Sequence, residues 1–205
     1  SKAGAEFDTL SSRRGFTPSF IGRRFGFKSV TTDIDCLFSS DSSPTVVIST
    51  RHNSHASLVS RALKAGKNVF VEKPLCLTLA ELEEIESLTQ ANRSTLMVGF
   101  NRRFSPLVSL LRGYLSPNTP KSFVYTINSG QLPDVHWLND PLVGGGRLLG
   151  EACHFVDLLR FLASSAILDI QFSSRPVTGP LDRPETFILS ISFADGSIGS
   201  INYFS

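Results

Sequence analysis

The sequence predicts an α/β chain in two parts: an incomplete parallel sheet covered by helices, then part of an α+β domain whose sheet is mostly antiparallel. Two short runs rich in branched apolar residues, Thr45-Val46-Val47-Ile48-Ser49-Thr50 and Val69-Phe70-Val71, show no polar alternation. That is the pattern expected of strands buried on both faces. Amphipathic helical patterns lie between and after them, and strict strand–helix alternation argues for a parallel sheet. After about Phe104 the pattern changes to longer strands with one wet face, two of them joined by the turn signal Ala194-Asp195-Gly196. The domain boundary is placed there, giving residues 1–104 and 105–205.

In order along the chain, Glu6–Ser11 reads as a strand, Thr17–Phe25 as a short helix and Lys28–Thr31 as a short strand. Asp33–Phe38 is helical, with Asp33 near its start. Ser54–Ala65 is a helix with Ser54 as cap and Gly66 as stop. Leu79–Ala91 has Leu79, Leu82, Ile85 and Leu88 at helical spacing, with Thr78 and Glu81 in a capping-box arrangement. Leu96–Phe100 is the next strand. In the second part Pro106–Leu115 is helical, Ser122–Asn128 a strand, and Ser129 to Gly146 a loop rich in Pro, Gly and Asp. Arg147–Leu162 reads as one long helix, followed by strands at Ile167–Phe172, Thr186–Phe193 and Ser197–Phe204.

Composition narrows the function classes. Of the 205 residues 41% are hydrophobic and 19% charged, with net charge +2, which excludes intrinsic disorder. No apolar run approaches the roughly 20 residues that span a bilayer, so no membrane partner is expected. Ser1 to Leu10 lack the apolar core of a signal peptide, leaving the cytoplasm as the default location. The basic excess at Arg13, Arg14, Arg23, Arg24 and Lys28 fits either a phosphate or a solvated helix face. It has no interleaved aromatics, so nucleic acid is not an expected partner. Cys36, Cys76 and Cys153 form no CxxC pair and read as small buried residues, with neither a disulfide nor a metal site expected. A nucleophilic role for Cys153 is a minor alternative.

A doubly wound nucleotide-binding sheet uses a first strand and a glycine-rich turn to bring backbone close to a pyrophosphate. No G-x-G-x-x-G occurs here. Gly144-Gly145-Gly146 is a decoy, with no strong strand before it and Leu149 in the place of the third glycine. The chain reads as cut at both ends.

The residues that carry chemistry cluster in Ser49-Thr50-Arg51-His52-Asn53-Ser54-His55 and in Ala65-Gly66-Lys67-Asn68-Val69-Phe70-Val71-Glu72-Lys73-Pro74. Two neighbouring strands each end in a polar group of residues, and carboxyl ends of parallel strands are where open α/β sheets bind ligands. Lys73, after an apolar strand and before a stiffening proline, is partly desolvated with Glu72 alongside. It holds a substrate hydroxyl or acts as an acid; the alternative is an ordinary pair of loop charges.

These segments resemble the Gfo/Idh/MocA oxidoreductase family, the glucose–fructose oxidoreductase and inositol dehydrogenase relatives. The resemblance extends through Val98-Gly99-Phe100-Asn101-Arg102-Arg103-Phe104 and Gly144-Gly145-Gly146-Arg147-Leu148-Leu149-Gly150-Glu151-Ala152-Cys153-His154-Phe155-Val156-Asp157. The last stretch looks most like a subgroup often fused to a zinc-type alcohol dehydrogenase module. The resemblance implies an incomplete Rossmann-type sheet followed by a substrate and oligomerisation domain. It also implies hydride transfer between NAD(P) and a hydroxyl or ketone of a sugar, cyclitol or related polyol.

By the same resemblance, Lys73 matches the lysine that touches both nicotinamide ribose and substrate. His154 matches the histidine that exchanges the hydroxyl proton, a task suited to a neutral imidazole. Asp157, one turn on, matches a substrate-contacting position, the alternative being an exposed or capping helix carboxylate, and Arg102 joins it as a substrate candidate. Apart from the resemblance, His136 and Trp137 in the second-domain loop either line the substrate pocket or simply pack or cap. Thr50, Arg51, His52, His55, Glu72, Lys73, Asn101 and Arg102 are expected at the cofactor. Two departures stand out. The family's aspartate four residues before the histidine is replaced by Gly150, which makes Glu151 the candidate helper for His154. Arg51-His52 stands where relatives have Pro-Asn. The first strand ends in Ser11-Ser12-Arg13-Arg14 rather than in an acid. Hydroxyls and arginines there suit a 2′-phosphate, so Ser12, Arg13 and Arg14 lean the cofactor toward NADP. A homo-oligomer formed through the second-domain sheet is expected from the resemblance. The competing readings are a cofactor-sensing regulatory protein of the same fold, which Gly150 favours, and an inactive fragment.

Overall fold

The structure is a computed structural model that describes residues 4–12, 16–39, 43–116, 119–175 and 185–205. The chain divides into two compact units: residues 1–49, 56–71 and 80–97 form the first, and residues 50–55, 72–79 and 98–205 the second. The loops leaving two strands of the first sheet region therefore belong, with their polar residues, to the second unit.

In the first unit β1 (Thr9–Ser11) and β2 (Ser29–Thr31) pair in parallel, Thr9 opposite Ser29, with helix α1 (Phe16–Phe25) between them in sequence. Gly22 of α1 packs against β2; a Cβ there would lie 2.4 Å from a Val30 methyl. The helix expected from Asp33 starts later, as α2 (Cys36–Ser39). The preceding residues instead form a turn in which the Asp33 carboxylate accepts from the Asp35 amide.

Strands β3 (Thr45–Ile48), β4 (Asn68–Val71) and β5 (Leu96–Val98) lie side by side in that order, β3 and β4 in parallel. Helix α3 (His55–Lys64) connects β3 to β4, and α4 (Leu79–Ala91) connects β4 to β5. Ala56, Val59, Ala62 and Leu63 of α3 are buried at helical spacing. Gly66 ends the helix at φ +71°, as its position predicted. The expectation that β3 is buried on both faces is not met: Val46 and Ile48 are buried but Val47 is 67% exposed. An unbroken β-branched run carries no record of which side is covered, because β propensity and burial favour the same residues.

The second unit holds a four-stranded mixed sheet of order β6-β9-β8-β7, where β6 is Ser122–Asn128, β7 Ile167–Ser174, β8 Phe187–Phe193 and β9 Ile198–Phe204. β7–β8 and β8–β9 are antiparallel and β6–β9 is parallel. The β8–β9 turn closes with the Gly196 amide donating to Phe193 O, Gly196 at φ +83°. Helix α6 (Cys153–Ala163) covers one face, where Phe155, Leu159, Leu189, Ile191, Ile201 and Tyr203 form the core. The other face carries Val124, Ile188, Ile198 and Phe204, all at least 41% exposed. Helix α5 (Pro106–Tyr114) precedes β6.

The long helix expected over Arg147–Leu162 is not regular. Leu148–Ala152 is a π-helical turn that runs into α6. Single π turns inside helices recur at functional sites. No helix among the described residues is long and apolar enough to cross a membrane.

Candidate active site

Lys73 leaves β4 through Glu72 and precedes Pro74, joined to it by a cis peptide. Its ammonium donates to the Gly150 carbonyl at 2.6 Å. A lysine has three N–H donors, so this contact anchors the group and leaves two to face a ligand. The acceptor lies within the π turn Leu148–Ala152. Residue 150 is also confined: a Cβ would meet Leu138 Cδ1 at 2.4 Å and His52 Cε1 at 3.3 Å. The space that a side chain at 150 would take is filled by Leu138 and His52, and the backbone carbonyl faces the lysine instead.

His154 stands in the first turn of α6 with Phe100 edge-on at 6.1 Å. Its Nδ1 is buried without a partner among the described residues. Burial, followed by the charges of Lys73 and Arg102, pushes its pKa down to about 4, against a smaller upward pull from Asp157 and Glu151. The imidazole is therefore neutral at pH 7 and keeps a lone pair. Arg102 lies with its guanidinium 4.6 Å from the Phe155 ring centroid. Asn101 is exposed in the same turn, Asn101–Phe104.

Several expected roles are corrected. Glu151 does not orient His154. Its carboxylate accepts from the Tyr203 hydroxyl and pairs with Arg147 at 3.6 Å, because the π turn changes the phase between residues 151 and 154. Asp157 is already neutralised: it accepts two hydrogen bonds from Arg103, one of 3.0 Å from Nε, with its side chain 9% exposed. His55 is fully buried, with Nδ1 2.7 Å from Pro74 O and Nε2 3.0 Å from Thr50 O. It ties the two strand-exit loops together and has no ring nitrogen left for a cofactor. His52 is also buried and donates from Nδ1 to Gly144 O at 2.8 Å, with Trp137 edge-on at 4.8 Å. Burial lowers its pKa, so it too is uncharged at pH 7. Cys153 is no nucleophile, since burial raises its thiol to about 11.

Of the other expected residues, Arg51 is exposed and lies with its guanidinium 5.4 Å from the Trp137 ring centroid. Arg51, Trp137 and His52 thus form a second cluster in the same unit. The Thr50 hydroxyl is 2.6 Å from Ser54 Oγ. Glu72 is half-buried. Ser12 belongs to the first unit, its amide donating to Thr31 O at 3.2 Å. Arg13 and Arg14 lie outside the described residues.

The glycine run is a structural device, as its lack of a leading strand implied. A Cβ on Gly144 would fall 2.3 Å from Leu138 Cα, and Gly145 and Gly146 both sit at φ +74°. Sequence reasoning missed Arg103, Arg147 and Tyr203. Arg147 and Glu151 at i, i+4 were a visible pair, and Tyr203 is an inward strand position bearing a hydroxyl. Among the described residues no group of three or more His, Cys, Asp or Glu could hold a metal ion.

The first unit carries a Rossmann-type parallel sheet, and the half-buried Lys73 and His154 both belong to the second unit. Residues 3–100 match the family model GFO_IDH_MocA, described as "Oxidoreductase family, NAD-binding Rossmann fold". It is 27% identical to levoglucosan dehydrogenase of Pseudarthrobacter phenanthrenivorans, over 87% of this chain and 54% of that protein. It is 27% identical to myo-inositol 2-dehydrogenase of Thermotoga maritima, over 77% of this chain and 48% of that protein. The chain thus spans about half the length of these curated relatives. The solved complex of levoglucosan dehydrogenase with NADH and levoglucosan superposes with TM-score 0.81 at 26% identity, over 96% of this chain and 57% of that one. An oxidoreductase domain protein from Kribbella flavida gives TM-score 0.83 at 24% identity, over 97% and 58%, and speaks for the fold alone.

Proposed function

We propose that the protein to which this chain belongs oxidises a secondary hydroxyl of a sugar, cyclitol or related polyol, or reduces the matching ketone, with Lys73 and His154 at the reacting oxygen. The observation that carries this reading is the anchored ammonium of Lys73 together with the neutral, unpartnered His154 Nδ1 in one unit. A bound nicotinamide would supply the hydride acceptor for oxidation or the hydride donor for reduction. Lys73 holds the substrate oxygen through a free N–H and stabilises its developing negative charge. His154, uncharged down to about pH 4, accepts the hydroxyl proton in oxidation and returns it in reduction. Arg102 and the Arg51–Trp137 platform are the remaining substrate and cofactor contacts. The donor set fits the nicotinamide end of the cofactor. The pyrophosphate turn G-x-G-x-x-G is not among these 205 residues.

The preference for NADP over NAD rests on Ser12, Arg13 and Arg14 in place of an acid after the first strand. Pairing of copies through the open sheet face draws support from its exposed Val124, Ile188, Ile198 and Phe204. A purely cofactor-sensing role draws only on Gly150, and the Lys73–His154 pair argues against it. Turnover by the full protein of a panel of sugars and cyclitols with NAD⁺ and NADP⁺, read as reduced-nicotinamide absorbance, tests the proposal. At least one polyol oxidised, faster with NADP⁺, is expected. No oxidation across the panel, together with no reduction of the corresponding ketones, overturns it.

A further inference from the structure

The geometry points to Tyr203 as a positioning residue for Lys73: its hydroxyl, held between Arg147 and Glu151, fixes the π turn whose Gly150 carbonyl anchors the lysine. This rests on the reading that Lys73 works at the reacting oxygen. Arg147 stands immediately before the turn and Glu151 inside it. Arg147 is 4% exposed and donates to Tyr203 Oη at 2.9 Å and to Ser129 Oγ at 2.7 Å, with a further bond to Gly130 O. Tyr203 in turn donates to the Glu151 carboxylate. Residues 147 and 151 are thus tied to one phenol on β9, and residue 147 also to the loop after β6, with residue 150 between the two tied points. A π turn interrupts the regular helical hydrogen-bond ladder and is rare outside functional sites. The Arg147–Tyr203–Glu151 clamp is what holds it here.

The ring and the hydroxyl of Tyr203 are separable. The ring stacks on Phe187 at 4.9 Å, within 4° of parallel, in the core of the sheet. Tyr203→Phe keeps that packing and removes the phenol's bonds to Arg147 and Glu151, leaving only their direct ion pair at 3.6 Å. In the full protein this substitution is expected to lower kcat about tenfold, the weight of one lost charge-assisted hydrogen bond, while KM for the cofactor stays within about twofold. Glu151→Gln, which leaves an acceptor for the phenol, is expected to retain most of kcat, whereas Glu151→Ala falls as Tyr203→Phe does. Wild-type kcat in Tyr203→Phe overturns the proposal. So does a fall in kcat matched by a rise in both KM values and a lower unfolding midpoint, the mark of general loosening. Lys73→Met is measured alongside. If it retains turnover, the underlying reading of Lys73 fails; if it abolishes turnover while Tyr203→Phe is wild-type, only the positioning role fails.

Discussion

Arg103 and Asp157 form a two-bond ion pair that ties the turn Asn101–Phe104 to helix α6, in the turn of that helix following His154. Asp157 is thereby a structural partner, and its charge reaches His154 as a small upward pull on its pKa. Asp157→Asn is expected to destabilise the second unit by about 2 kcal/mol, since Arg103 loses a charged acceptor. The substrate KM is expected to change less than threefold. Denaturant unfolding alongside steady-state kinetics checks this; a large KM rise at unchanged stability contradicts it.

Lys73→Met removes the ammonium and its bond to Gly150. If Lys73 stabilises charge developing on the substrate oxygen, kcat falls at least about a hundredfold. Cofactor binding, followed by quenching or enhancement of NADPH fluorescence, is expected to weaken far less. Near-normal turnover excludes the assignment.

The acidic limb of the rate profile follows from His154. Its folded pKa is depressed from 6.5 to about 4, chiefly by burial and then by Lys73 and Arg102. Oxidation of substrate at saturating cofactor is therefore expected to hold down to about pH 4–5 before the base is protonated, not to fall near 6.5. The same depression makes the neutral form the native one. Its contribution to stability is full above pH 6.5 and is lost as pH falls toward 4. A kinetic limb near 6.5 that disappears in His154→Asn contradicts the burial argument.

Gly150 cannot take a side chain without displacing Leu138 or His52. Gly150→Ala is expected to cost about 1–3 kcal/mol of stability through overpacking. Gly150→Asp is expected to cost more, because it adds a carboxylate to the same confined space. Stability equal to wild type in Gly150→Asp shows that the Leu138 and His52 side chains yield freely.

The strand–helix alternation, the second-domain strands and the hairpin at Ala194-Asp195-Gly196 were legible because each is set by local periodicity or turn chemistry. The motifs single out Lys73 and His154, whose roles are proposals. The roles of Glu151, Asp157 and His55 were not, and for one shared reason: each is decided by a partner remote in sequence. Glu151 meets Tyr203, Asp157 meets Arg103, and His55 meets Pro74 and Thr50. Spacing on an ideal helix also placed Glu151 beside His154, and the π turn removed that relation. Val47 shows the same limit for strands, where composition named an interior face that the fold leaves open.

In the proposed mechanism the neutral His154, in the same unit as the anchored Lys73, exchanges the proton of a hydroxyl undergoing hydride transfer. His154→Asn in the full protein tests it most directly, with turnover and NADPH fluorescence titration measured on the same sample. A fall in kcat of at least about a hundredfold with cofactor affinity unchanged is expected if His154 is the proton acceptor. Turnover within a few-fold of wild type contradicts it.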